Sequence, residues 1–185
     1  MDASDLASLG ILGVLAEEET ATVERIRERL QHNFGKYWAG SYGVLLPTVS
    51  RLTEPDSGSE PAVERVESDD TYAITERGFE RLYDLLREPI EDVANPMNYP
   101  QFALKLGFLH HLPGDDQRAE LAALEDRFEG ARNHYVELRD LHGDEFDAPR
   151  GYRRELFSLR AMVLDDHLQW LRSLRKPETA NAGRD

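Results

Sequence analysis

The hydrophobic positions of the first 35 residues change their spacing once, and each spacing predicts a helix. Residues 5 to 16 are almost continuously apolar, which predicts a buried helix capped at its start by Ser4 or Asp5. From residue 20 to 34 the apolar side chains recur at steps of three and four, so this segment is predicted to be an amphipathic helix. Gly35 follows the last apolar position and is a suitable stop.

A third helix, a hairpin and a closing helix follow in order. The third helix is expected to begin at Ser41, and Pro47 leaves open whether it starts nearer Leu46 or tolerates a distortion. Residues 62 to 66 and 71 to 75 alternate and are rich in β-branched side chains, which predicts a two-stranded hairpin. Thr75 is a suitable N-cap for the closing helix, whose apolar positions are Phe79, Leu82, Leu85 and Leu86.

This order of elements is typical of a winged helix-turn-helix, so the fold is expected to be mainly α, with three helices and a two-stranded wing. We therefore predict a DNA-binding domain over residues 1–88. Prolines at positions 89, 96 and 100 mark a hinge over residues 89–100. A long-helix dimerisation domain is expected over residues 101–176, followed by a disordered tail over residues 177–185.

The second half of the chain predicts helices with more apolar surface than one chain can cover. In the helix expected from residue 115 to 141, the steps of three and four are typical of a coiled-coil seam, formed by Leu121, Leu124, Phe128, Ala131, Tyr135 and Leu138. The last helix, about residues 151 to 175, presents a second seam, formed by Leu156, Leu159, Val163, Trp170 and Leu174. Exposing such stripes would cost several kcal/mol at about 25 cal/mol per Å². Burial of these stripes against a second copy of the chain, in a homodimer, is the simplest arrangement. Packing of the stripes onto the first domain is the alternative.

The amino-acid composition restricts the cellular compartment and the kinds of site that the protein can contain. The chain contains no cysteine, which excludes disulfides, thiolate zinc sites and cysteine nucleophiles. The apolar run of residues 6 to 16 is too short for a membrane span and lacks the basic flank of a signal peptide. We therefore expect a cytoplasmic protein that has no membrane partner.

Net charge is −14, which opposes DNA binding unless the basic residues are concentrated. Residues 20 to 52 carry a net charge of +3, so a basic segment lies within an acidic chain. Only three of the 22 basic residues are lysine. Many carboxylates with few lysines resemble the composition of proteins from a salt-rich cytoplasm, and this halophilic-type composition is an alternative source of the acidity.

Chemistry other than binding has little support in the sequence. His110 and His111 are adjacent, and neighbours on a helix point about 100° apart, so they are a poor chelating pair. No glycine-rich phosphate loop or nucleophile–base arrangement is recognisable. We therefore expect neither an enzyme nor a metal or other cofactor.

One segment resembles a known family. Residues 34–38 read Phe-Gly-Lys-Tyr-Trp, and residues 41–52 read Ser-Tyr-Gly-Val-Leu-Leu-Pro-Thr-Val-Ser-Arg-Leu. This segment resembles the recognition-helix signature of the PadR family of transcriptional regulators, Ser-x-Gly-x-Leu-Tyr-Pro-x-Leu-x-Arg-Leu after Phe/Trp. The hairpin end and the helical tail are similar in kind, so the resemblance spans about residues 5 to 175.

Several positions depart from the family pattern. Leu46 stands where the family usually has a tyrosine that touches the DNA backbone. The family's His-Gly-Tyr at the start of the second helix is absent, and the loop after Leu52 differs. The wing has one basic residue, Arg65, against four carboxylates, those of Glu64, Glu67, Asp69 and Asp70. Such a wing is expected to be repelled by phosphate.

The resemblance implies a regulator, a repressor by expectation, that binds a palindromic operator in double-stranded DNA as a homodimer. Backbone charge would come from Arg25, Arg27, Arg29 and Lys36, with Arg65 as the wing cation. The third helix would approach the groove at Gly43 and contact phosphates or base edges through Ser41, Tyr42, Thr48 and Arg51.

Some of these assignments have structural alternatives. Arg51 could instead form an ion pair, and Tyr42 could pack at the core edge. The resemblance also suggests a small aromatic effector, with a pocket that could be lined by Trp38, Tyr135, Phe157 and Trp170. Aromatic residues at helical spacing are more often core. The alternative function is a winged-helix module that binds a protein or a small ligand and no longer binds DNA.

Overall fold

The computed structural model describes residues 1–35, 42–55, 60–66, 70–141 and 152–175. The chain divides into two compact units. The first unit contains residues 1–90 and 99–113, and the second contains residues 91–98 and the chain from residue 114 onward. None of the helices in these described ranges has an apolar stretch long enough to span a bilayer.

Helix α1 (Ala3–Glu18) lies at the centre of the first unit, and its residues 7 to 15 are all buried. This burial explains the continuous apolar run, because every side of the helix meets another element. The carboxylate of Asp2 caps the helix and accepts hydrogen bonds of 2.8 Å from the backbone nitrogens of Ser4 and Asp5. The predicted cap at Ser4 or Asp5 was therefore wrong, because both of these residues already lie within the first turn.

The segment predicted as one amphipathic helix from residue 20 contains two elements. Strand β1 (Thr20–Thr22) comes first, and helix α2 (Val23–Phe34) follows. The Thr22 side chain accepts a hydrogen bond of 3.2 Å from the backbone nitrogen of Arg25, which caps α2. The helix ends at Gly35, whose φ of +70° favours glycine, so the predicted stop is confirmed.

Helix α3 (Tyr42–Leu52) runs through Pro47. The structure therefore supports the alternative in which the helix tolerates its proline. Pro47 has no amide hydrogen for the carbonyl four residues earlier, which is that of Gly43. One side of α3 is buried in the unit through Leu45, Thr48, Val49 and Leu52.

The predicted hairpin is confirmed as strands β2 (Val63–Val66) and β3 (Thr71–Ile74), which pair antiparallel. Strand β1 pairs with the other edge of β3, so the sheet order is β1-β3-β2. Helix α4 (Glu76–Arg87) follows, and the Thr75 side chain caps it by accepting a hydrogen bond of 3.1 Å from the Gly78 nitrogen. These elements, in this order, form the predicted winged helix-turn-helix, with one strand more than expected.

Helix α5 (Tyr99–Phe108) and the 3₁₀ turn Leu109–His111 belong to the first unit. The ring of Phe108 lies 2.5 Å from where a Cβ on Gly13 of α1 would stand, and the Phe34 ring occupies the same place at Gly107. The two rings are 5.4 Å apart between centroids. These contacts place residues 99–113 with the winged helix, whereas the sequence assigned residues from 101 onward to the dimerisation domain.

The second unit is a pair of long helices, α6 (Gly114–Leu141) and α7 (Arg153–Arg175). Arg172 Nε of α7 is 2.7 Å from a carboxylate oxygen of Glu125, and Asp165, one to two turns earlier on α7, is 3.5 Å from Nε of Arg132, which lies later on α6. The helices are therefore antiparallel. Their shared apolar contact contains the buried side chains of Leu124, Phe128, Ala161, Leu164, Leu168 and Leu171. The 3₁₀ turn Pro96–Asn98 lies in the same unit, and the predicted tail lies outside the described residues.

Candidate nucleic-acid interface

The side of α3 that faces away from the core is open to solvent. Val44 is 42% exposed and Leu46 is 50% exposed, and Gly43, Pro47 and Ser50 are exposed beside them. These positions recur at steps of one, three and four, so they form a continuous face of the helix. In a helix-turn-helix this is the helix that enters the major groove, and its open face is the one that meets the bases.

A shallow groove runs between this face and the sheet. It is lined by Leu46, Pro47, Ser50, Thr53, Arg65 and Tyr72, and we refer to it as the α3–wing groove. Its walls combine apolar carbon, hydroxyl groups and the guanidinium of Arg65. Hydroxyls and a guanidinium can donate to phosphate, and apolar carbon can contact a thymine methyl group.

The three arginines of α2 do not present unpaired charge to this face. Arg25 Nε lies 2.9 Å from Glu18, and this carboxylate raises the pKa of Arg25 by hydrogen bonding and by its charge. Arg29 Nε lies 2.8 Å from Glu18 and its Nη2 3.4 Å from Glu17. Arg27 pairs with Glu24 one turn away. The prediction that these arginines supply charge to the DNA backbone stays a prediction, and a phosphate would have to replace the carboxylates that now pair with them.

Arg51 joins α3 to α1. Its guanidinium donates to the hydroxyl of Ser8 at 3.0 Å, and it also contacts the hydroxyl of Ser4. Its charge adds to two backbone hydrogen bonds, from Asp5 and Ser4, in lowering the pKa of Asp2. Arg51 therefore braces two helices through serine hydroxyls, a role that the sequence did not predict. Its proposed contact with DNA stays a prediction.

The other predicted DNA contacts have different outcomes. Thr48 is only 5% exposed and its hydroxyl donates to the Val44 carbonyl at 2.8 Å, so Thr48 faces the core and its assignment to DNA was wrong. Arg65 is exposed in the α3–wing groove and pairs with Asp70. Lys36, Ser41 and the side chain of Tyr42 lie outside the described residues, as does Trp38.

Sequence reasoning missed several groove residues, among them Pro47, Ser50, Thr53 and Tyr72. Helical spacing could have identified two of them, because Pro47 and Ser50 share a face with Gly43. Thr53 and Tyr72 had no such signal, since their place in the groove depends on how the sheet packs beside α3.

The residues predicted for dimerisation fall into three groups by their exposure. Leu124 and Phe128 are buried between α6 and α7 of one chain. The set predicted on α7 is instead exposed, each side chain by more than two fifths: Leu156, Leu159, Val163, Trp170 and Leu174. Leu121, Tyr135 and Leu138 on α6 are partly exposed. Helix α7 therefore has two apolar faces, one against α6 and one in solvent.

The described residues predicted for an effector pocket do not meet within one chain. The rings of Tyr135 and Phe157 are 6.3 Å apart between centroids. Trp170 follows Phe157 by 13 positions on the same helix, which is about 20 Å at 1.5 Å per residue. The three side chains therefore cannot line one small pocket of a single α6–α7 pair.

Comparisons with known proteins gave matches among solved structures only. No protein-family model and no curated protein sequence matches the chain. Among solved structures, the chain is similar to Bacillus subtilis PadR, with 18% identity, coverage of 94% of this chain and 95% of that chain, and a TM-score of 0.40.

Two further structures are similar. One is Bacillus subtilis PadR in complex with operator DNA, with 17% identity, coverage of 90% and 96%, and a TM-score of 0.37. The other is a PadR-like transcriptional regulator from Bacillus cereus, with 18% identity, coverage of 91% and 99%, and a TM-score of 0.38. At these identities and TM-scores, residue roles in those proteins do not transfer to this chain.

Proposed function

We propose that this protein is a DNA-binding transcriptional regulator that acts as a homodimer on a palindromic operator, with repression as its mode of action. The observation that carries the proposal is the open face of α3 beside the wing sheet. In a winged helix-turn-helix, a side of the third helix that is free of its own core is the surface that can enter a major groove.

The residues proposed to contact DNA are centred on the α3–wing groove. Gly43 permits close approach of the helix backbone, Leu46 supplies apolar contact, and Ser50 supplies a hydroxyl at the next turn. Arg65 would exchange its pair with Asp70 for a phosphate. Because the α2 arginines are held by glutamates, we assign them a smaller part than the sequence suggested.

The exposed apolar face of α7 supports the homodimer. Leu159 and Trp170 lie on this face, roughly half exposed, and burying them against a second copy would remove apolar area from water. A two-fold interface uses the same patch on both chains, and a symmetric pair of winged helices fits a palindrome.

Gel retardation of the DNA upstream of the protein's own gene, across a salt series, tests DNA binding. The matched variants are Arg65→Ala in the groove and Arg77→Ala on α4, since both arginines are about half exposed and each pairs with a nearby carboxylate. We expect Arg65→Ala to weaken retardation and Arg77→Ala to leave it unchanged. Equal retardation by both variants would remove the groove as the contact surface.

The salt dependence measures how many cations reach phosphate. The slope of log K against log salt is about 0.9 per phosphate contact. If the three α2 arginines of both subunits stay with their glutamates, the slope is smaller by about 5 than for a site in which all of them bind phosphate. A steep slope would show that these ion pairs open on DNA.

A second candidate is a module on the same fold that binds a protein partner through α3. It is favoured by the apolar side chains of Val44 and Leu46 and by the pairing of the α2 arginines. Absence of retardation at every salt concentration, with the homodimer intact, would favour this candidate over DNA binding.

A further inference from the structure

Three side chains that can bind a metal ion meet at the C-terminal end of α1, away from the α3–wing groove. Glu17 lies in the last turn of α1, and His110 and His111 lie in the 3₁₀ turn that follows α5. One ligand atom from each residue lies within 4.8 Å of the other two. Residues about 93 positions apart in sequence are thus brought together by the packing of α5 in the first unit.

The two histidines are closer than their adjacency predicts. Their ring centroids are 4.1 Å apart, because α5 ends at Phe108 and the chain tightens into the 3₁₀ turn. Nδ1 of His110 lies 3.1 Å from the Gly107 carbonyl, and its Nε2 lies 3.8 Å from a carboxylate oxygen of Glu17. A ring nitrogen held by a backbone carbonyl, with the other directed at a ligand position, is the usual arrangement of metal-binding histidine.

His111 adds a polar atom that the described structure leaves unsatisfied. Its Nε2 is buried and has no hydrogen-bond partner. Such an atom costs free energy unless something binds it.

Glu17 can turn to a metal ion without leaving an arginine unpaired. Its carboxylate lies 3.4 Å from Nη2 of Arg29, but Arg29 also has Glu18 at 2.8 Å from its Nε. Donor atoms about 2 Å from a tetrahedral zinc ion are about 3.3 Å from one another. Closing the cluster from its present spacing therefore needs side-chain shifts on the order of 1 Å, and His110 is exposed enough to move.

We propose that Glu17, His110 and His111 form a binding site for one divalent transition-metal ion, with water completing the coordination. Two imidazoles and one carboxylate are ligands suited to Zn²⁺ and its neighbours in the first transition row, whereas Mg²⁺ and Ca²⁺ prefer oxygen ligands. The bound ion would link the end of α1 to the turn after α5, so it would stabilise the first unit. This site is independent of whether the protein binds DNA.

Titration of the full-length, chelator-treated protein tests the site. Zn²⁺ binding is measured by calorimetry, and Co²⁺ is used as a second probe because its visible absorption reports coordination by protein ligands. We expect one ion per chain and a rise in Tm with Zn²⁺. His110→Ala should raise the Kd at least about 10-fold. His134→Ala, which removes an exposed histidine of α6, is the matched control and should bind as the unchanged protein does.

The ligand variants must fold before their Zn²⁺ affinities can be compared. His110 is exposed, so His110→Ala is expected to fold, and its Tm without metal should match that of the unchanged protein. His111→Ala is the second ligand variant and should also raise the Kd for Zn²⁺. If it fails to fold, Glu17→Gln takes its place with the same expected result. Equal Zn²⁺ affinity in His110→Ala and the unchanged protein would overturn the site, as would failure of one equivalent of Zn²⁺ or Co²⁺ to bind at all.

Discussion

Replacing Leu159 on the exposed face of α7 by alanine should weaken the homodimer. Leu159 lies within the exposed apolar stripe and is 49% exposed in the single chain. If a second copy covers this stripe, the exposed half of the side chain becomes buried on association. The variant removes most of that half without disturbing the buried contact between α6 and α7.

The size of the effect follows from the exposed fraction. Complete burial of a leucine side chain contributes about 1.5–3 kcal/mol, so burying the remaining half contributes about 1 kcal/mol. A two-fold interface contains the residue twice, which gives about 2 kcal/mol for the dimer. Since about 1.4 kcal/mol changes an equilibrium constant tenfold, the dimer Kd should rise about 30-fold.

Sedimentation equilibrium of the full-length chain over a range of concentrations measures this constant. Leu46→Ala is the control, because Leu46 is also a helical leucine and is 50% exposed, but it lies on α3. The control should dimerise as the unchanged protein does and instead weaken DNA retardation. An unchanged dimer constant for Leu159→Ala, with normal helix content, would refute the assignment of this face to the interface. A monomeric unchanged protein would refute the homodimer itself.

Three further predictions concern the stability of the two units. Phe108→Ala should lower the free energy of unfolding by about 3–5 kcal/mol in urea titration, because the fully buried ring fills the space above Gly13; a loss below 1 kcal/mol would contradict this packing. Gly78→Ala should also destabilise the fold, since its Cβ would stand 2.1 Å from the Ala62 carbonyl oxygen, and an unchanged Tm would show that α4 can shift. A hydrogen bond from Arg172 and a second from Arg175 lower the pKa of Glu125 below 4.5, so these contacts stabilise the fold above that pH and lose their effect as the pH falls through the lowered pKa. The stability difference between Arg172→Gln and the unchanged protein should therefore shrink on acidification, and a difference that grows would reverse this sign.

Local sequence predicted most of the elements of the first unit. The helical spacing of α2, the glycine stop at Gly35 and the threonine cap at Thr75 depend on contacts within a few residues. The hairpin followed from alternation over two short runs. These helix limits and the hairpin could be predicted from sequence because they depend on interactions between neighbouring residues.

Strand β1 was not predicted, and neither was the packing of helix α5 against α1 and α2, because the partners of both elements are distant in the sequence. A three-residue segment such as Thr20–Thr22 is a strand only because β3, about 50 positions later, supplies its hydrogen bonds. The place of α5 depends on Phe108 meeting Gly13 and Phe34 meeting Gly107. No local pattern distinguishes these aromatic contacts from those of a dimerisation helix.

The amino-acid sequence alone determined the classes of element, their order and the acidic charge with its basic segment. Only the tertiary structure decided which charges are available, because Arg25 and Arg29 come from α2 and the glutamates that hold them come from the end of α1. It also separated the two apolar faces of α7, since burial depends on which helix lies alongside. Composition counts charges and apolar residues, but their pairing depends on distances that only the folded chain defines.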